Sequence, residues 1–75
     1  MKDQKALLIK CIANEIPAVV ICAKDINSVP TLLGYMEQAK KNGCSPEFIK
    51  DFSEVLNGFI SFQKEEPEKV EIPNL

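Results

Sequence analysis

The stretch SPEFIKDFSEVLNGFISF, residues 45–62, carries the clearest helix pattern in the chain. Ser45 is a typical N-cap residue, Pro46 suits the first helical turn, and Glu47 favours the positive end of a helix dipole. Large apolar residues then recur at steps of three and four, the period of an amphipathic helix. They are Phe48, Ile49, Phe52, Val55, Leu56, Phe59, Ile60 and Phe62. We call this set the apolar stripe; either the rest of the chain covers it as an ordinary core, or a second copy of the chain does.

The residues upstream of this helix predict a second one. Pro30 suits a first helical turn, and Ser28 just ahead of it is a typical N-cap residue. Gly43, which follows two lysines and an asparagine, is a typical stop signal. The apolar face would consist of Leu32, Leu33, Met36 and Ala39. Because only a short turn joins the two helices, we expect them to pack as an antiparallel hairpin.

Two further elements are predicted ahead of the hairpin. The run AVVICA, residues 18–23, is short and rich in β-branched residues, and its apolar residues do not alternate with polar ones. It therefore predicts a strand with both faces covered. Asp3 suits the cap of a first helix running from about Gln4 to Ala13. Residues 5–12 also fit a strand, and the sequence leaves this choice open.

These elements predict a small α+β fold that is mainly helical. Its order is a helix, one short strand, an antiparallel helical hairpin and an extended C-terminal tail. Residues 1–64 would form a single compact domain, and residues 65–75 an acidic tail that contains two prolines. A lone strand has unpaired edges, so it must pair with the tail or with the same strand of another copy. We therefore expect a homo-oligomer.

The composition excludes several classes of function. The 75 residues carry a net charge of −2, so the surface lacks the positive charge that binding to duplex nucleic acid requires. The chain has no arginine and no histidine, and histidine is the commonest general base and metal ligand. Cys11, Cys22 and Cys44 have no zinc-type spacing and suggest a reducing, cytoplasmic setting. No run is long enough to span a membrane. We therefore expect a protein that is not an enzyme and holds neither metal nor cofactor.

One junction could still hold a ligand. Where the predicted strand meets the second helix, the helix start would offer backbone amides to an anion. Lys24 would add charge, Ser28 and Thr31 hydroxyls, and Tyr35 a ring on which a base could stack. Asp25 belongs to the same group but repels anions, and it could equally brace the turn. The junction is therefore either a site for a small phosphate-bearing ligand or only a capped turn.

Two stretches resemble a group of small, mostly uncharacterised phage and prophage proteins. They are VVICAKDINSVPTLLGYMEQAKKNG, residues 19–43, and FISFQKEEPEKVEIPNL, residues 59–75. In that group an apolar strand ends in alanine, lysine or glutamine, and aspartate, and the chain closes on N-P-D-K-V and a proline. This chain departs from the pattern with Glu66 in place of asparagine and Asn74 in place of aspartate. The resemblance covers residues 17–75 and implies a phage origin and a location in the host cytoplasm. It brings no established activity, so no functional residue is carried over.

Three functions agree with these observations. The first is a non-enzymatic phage binding protein that sequesters a host nucleotide signal or otherwise inhibits host defence. The second is an interaction module that binds a host protein. The third is an accessory or structural phage protein without a ligand. A pocket lined by Lys24, Ser28, Thr31 and Tyr35 would favour the first function, and a flat apolar patch would favour the second.

Overall fold

The computed structural model describes residues 4–74, and this part of the chain forms three α-helices. Helix α1 spans Gln4–Ala13, α2 spans Ser28–Lys41 and α3 spans Pro46–Glu65. A short 3₁₀ helix, Pro67–Lys69, follows α3. The remaining residues connect these elements without regular structure, apart from one isolated bridge between the tail and the turn ahead of α2.

The predicted short strand is wrong, and with it the α+β fold class. Residues 18–22 belong to no helix or strand, and the described part of the chain contains no sheet. Within residues 4–74, the only bridge that pairs the tail with the residues ahead of α2 is a parallel one between Asp25 and Glu71. In it the amide of Ile26 donates to Glu71 O at 2.9 Å, and the amide of Glu71 donates to Lys24 O at 2.7 Å. β-Branched composition alone does not make a strand, because a strand requires a paired neighbour.

The first helix has the predicted bounds, which settles the choice for residues 5–12 in favour of a helix. Its predicted cap, Asp3, lies outside the described residues. The helix ends in a Schellman motif, in which the amide of Ile16 donates to Cys11 O at 2.8 Å and that of Glu15 to Ile12 O at 3.3 Å. Glu15 adopts a φ of 55°, the left-handed conformation that this motif requires.

The second and third helices pack against each other across a short turn. Gly43, with φ of 73°, ends α2 in a second Schellman motif, as its stop signal predicted. The Ser45 hydroxyl accepts a hydrogen bond from the Phe48 amide at 3.1 Å, so the predicted cap of α3 is confirmed. The buried apolar core between the helices consists of Met36, Ala39, Phe52 and Leu56. The rest of the stripe is partly buried, except Ile60, which is exposed.

The chain is loose for its length. Its radius of gyration is 13.6 Å, whereas a compact domain of this length has about 11.3 Å. Helix α1 contributes no buried residue and packs closely against neither α2 nor α3 in the described structure. None of the helices between residues 4 and 74 combines the length and apolarity that crossing a bilayer requires.

Candidate functional site

The predicted ligand junction is, in the structure, a tightly bonded turn. The Asp25 carboxylate accepts from the Asn27 amide at 2.8 Å, and Asp25 O accepts from the Ser28 amide at 2.9 Å. Helix α2 begins at Ser28, two residues before the predicted Pro30, and Asn27 occupies the N-cap position without a side-chain hydrogen bond. Because Ser28 has already donated its amide and Pro30 has none, the first turn offers an anion at most the amide of Val29.

Ser28 does not cap α2 but is its first residue, and it is completely buried. Its hydroxyl contacts Nε2 of Gln63 at 3.1 Å. The same Gln63 nitrogen donates to Ala23 O at 2.9 Å and to Asp25 O at 3.1 Å. One amide group of α3 therefore holds the turn ahead of α2 in place. Gln63 was not among the predicted site residues, although its position directly after Phe62, beside the apolar stripe, indicates that it faces the rest of the chain.

Lys24 and the tail are joined next to this turn. Lys24 Nζ lies 3.7 Å from Glu71 Oε1, and both side chains are more than half exposed. A surface pair of this kind contributes at most about 1 kcal/mol. Both residues of the pair line a groove of about 370 Å³, which we call the tail groove. Its lining residues are Val20, Cys22, Lys24, Asp25, Glu71, Pro73 and Asn74. With two carboxylates and one lysine, this lining carries a net negative charge and repels phosphate.

Thr31 and Tyr35 lie farther along α2. Thr31 is exposed. Its amide donates a hydrogen bond to Asn27 O at 3.2 Å, the first i to i−4 bond of α2. The Tyr35 ring is half-exposed and stacks on Phe52 with a centroid distance of 4.9 Å. It also lies 6.3 Å from the ring of Phe48. Tyr35 is thus part of the hairpin packing, and a base could reach only its open side.

The five predicted site residues therefore occupy three environments. Lys24 and Asp25 line the tail groove, Ser28 is buried, and Thr31 and Tyr35 lie on the outer part of α2. The tail groove does not bring all five together, since Ser28, Thr31 and Tyr35 are not among its lining residues. Their role in ligand binding stays a prediction, and the geometry gives more support to a structural turn, which the Asp25 carboxylate braces without a side-chain cap on α2.

A different region of the chain exposes most of the large apolar side chains. We call residues 4–21 the N-terminal arm; it contains α1 and the residues that follow it. Val19 is 80% exposed, Ile12 69%, Val20 67% and Leu7 64%. Leu7, Val19 and Val20 line one groove, and an exposed apolar surface of this kind is typical of an interaction site.

The arm also contains the larger of the two grooves. This arm groove, of about 480 Å³, lies between α1 and the residues that follow Pro17. It is lined almost entirely by apolar side chains, with Gln4 and Lys5 as the polar members. The apolar lining is Leu7, Leu8, Cys11, Ala18, Val19, Val20 and Ile21. These residues were predicted to form a helix and a covered strand, so an exposed apolar surface on the arm was not expected.

No metal site is found among the described residues. No group of three or more histidine, cysteine, aspartate or glutamate side chains between residues 4 and 74 is placed to hold an ion. Cys11, Cys22 and Cys44 are free thiols, and Cys22 and Cys44 are exposed.

Comparison of the chain with known protein families, with curated proteins and with solved structures finds no match. The resemblance to small phage and prophage proteins therefore stays a prediction.

Proposed function

We propose that this chain is a small, non-enzymatic protein-interaction module that assembles with copies of itself. The observation that carries the proposal is the amount of exposed surface. The chain exposes 6137 Å², whereas a compact monomer of 8.4 kDa exposes about 4,600 Å². The difference, roughly 1,500 Å², exceeds the ~800 Å² that each partner buries in a standard protein interface.

The chemistry of the exposed surface supports a protein partner rather than a phosphate-bearing ligand. The arm presents leucine, isoleucine and valine side chains, and burial of each such side chain stabilises a complex by about 1.5–3 kcal/mol when it is complete. The junction offers few free amides and stands beside Asp25 and Glu71. Of the expected functions, the interaction module therefore has the stronger support, and nucleotide sequestration the weaker.

The partner that the surface itself favours is a second copy. A small domain without disulfides has little stability to spare, and oligomerisation is a common way to gain it. The resemblance to phage and prophage proteins adds a host-cytoplasmic setting to the proposal. In that setting an oligomer could present the tails of its subunits to a host protein.

Sedimentation equilibrium or light scattering over a range of concentrations tests the proposal. We expect a mass that is a multiple of 8.4 kDa at micromolar concentration and that falls on dilution. A mass of one chain at every concentration would refute self-assembly. An oligomer that dissociates when a host protein is added would favour the host-binding alternative.

A further inference from the structure

The residues that follow α1 leave most of their apolar side chains exposed. We call residues 16–22 the connecting segment. Residues 18–23 are apolar without alternation, a pattern that is typical of a segment buried on both sides. In the single chain this burial is incomplete. Val20 is 67% exposed and lines both the arm groove and the tail groove, and Ile21 is only partly buried. The sequence pattern indicates a buried segment, whereas the single chain leaves it largely exposed. A partner that covers the segment accounts for both observations.

The middle of the connecting segment also lacks backbone partners in the described part of the chain. Within residues 4–74, no hydrogen bond involves the amide or carbonyl groups of residues 18–21. The bonds on either side belong to Ile16, which closes α1, and to Cys22 O, which accepts from Asp25. A row of four residues with free donors and acceptors, carrying apolar side chains, is a surface to which another extended backbone binds readily.

The apolar stripe of α3 is less suited to the same role. Phe52 and Leu56 are buried against α2, and Phe48, Phe59 and Phe62 are partly buried. The hairpin therefore already uses most of the stripe. The exposed area that remains for a partner is concentrated on the arm.

From these observations we infer that the connecting segment of a second copy lies against this one in a two-fold arrangement. The inference rests on the proposed function and names the surface that mediates it. A two-fold axis near Val20 brings the same patch of both chains together, so each chain supplies both the ridge of Val19 and Val20 and the grooves that receive it. The free backbone groups of residues 18–21 then find partners in the other copy.

Two matched substitutions test the inference. Val20→Asp places a carboxylate at the centre of the inferred interface, and Leu33→Asp places the same group on an exposed apolar position of α2. Because burial of an unpaired charge is costly, we expect Val20→Asp to raise the dissociation constant about 100-fold or more. Leu33→Asp should leave it nearly unchanged. Since most of Val20 is exposed in the single chain, its substitution should not change the helix content, which circular dichroism checks.

Hydrogen exchange provides a second measurement. Amides of residues 18–21 should exchange at least about tenfold more slowly in the parent oligomer than in the Val20→Asp variant. If Val20→Asp remains an oligomer, or if these amides exchange freely in the parent oligomer, the inference is wrong, while the proposed self-assembly stands. Dissociation by Leu33→Asp alone would place the interface on α2 instead. A monomeric parent would overturn the inference together with the proposed function.

Discussion

Gln63 provides the sharpest test of how the junction is held. Its Nε2 lies within 3.1 Å of three oxygens: Ala23 O, Asp25 O and Ser28 Oγ. The group carries two hydrogens, so the three contacts amount to two full hydrogen bonds, one of them shared. Gln63→Ala removes all of them and leaves the completely buried Ser28 hydroxyl without this partner.

The expected cost follows from these contacts. Two net hydrogen bonds contribute about 2 kcal/mol, and a buried acceptor without a partner adds to the cost of their loss, so we expect about 2–3 kcal/mol. A domain of this length has a total stability of about 4–11 kcal/mol. The substitution should therefore remove a large fraction of the free energy of unfolding.

Urea denaturation at a fixed protein concentration measures the effect. With a slope near 1 kcal/mol/M for a small domain, the midpoint should fall by about 2–3 M. Gln38→Ala is the matched control, because among the described residues the exposed Gln38 side chain bonds only Asn42 Oδ1, at 3.3 Å. Its effect should stay within about 0.5 kcal/mol. Equal midpoints for the two variants would refute the view that Gln63 holds the junction.

Three further substitutions and one binding experiment extend these tests. Phe52→Ala should destabilise the chain by about 3–5 kcal/mol, and Phe59→Ala by less, because Phe52 is buried and Phe59 only partly; equal thermal shifts would contradict this ranking. Tyr35→Ala should cost at least the ~0.5–1.5 kcal/mol of an aromatic pair, since its ring stacks on Phe52, and an unchanged melting temperature would show that the ring contributes nothing. Calorimetry against a panel of cyclic and linear nucleotides should show no binding at the junction. If a nucleotide does bind and Lys24→Ala weakens it, the sequestering function regains its support.

The hairpin could be predicted because its signals are local. The Ser45 cap, Pro46 in the first turn and the Gly43 stop each act within one turn of helix, and α3 begins and α2 ends where these signals lie. The start of α2 was placed two residues late, because Asp25 braces a turn that takes the place of a side-chain cap. Local signals thus predicted both helices, the end of α2 and the start of α3, but not the first residue of α2.

The strand and the site could not be predicted because they depend on distant partners. Residues 18–23 have the composition of a strand, but the tail reaches only as far as Asp25 and leaves residues 18–21 unpaired in the described chain. Ser28 has the position of a cap, yet Gln63 of α3 places it in the interior. No pattern within a few residues of Ser28 indicates that contact. The prediction failed where a residue's environment is set by a segment some 40 positions away.

The hydrogen bonds that join α3 and the tail to the turn ahead of α2 also imply an order of folding. The helices and the α2–α3 turn need only contacts between near neighbours, which form quickly. Gln63 and Ala23 are separated by 40 residues, and Glu71 must return past the whole hairpin to reach Lys24. Closing loops of that length costs entropy that only an already formed hairpin offsets. The junction and the tail should therefore close last and open first, releasing the connecting segment while α2 and α3 remain folded.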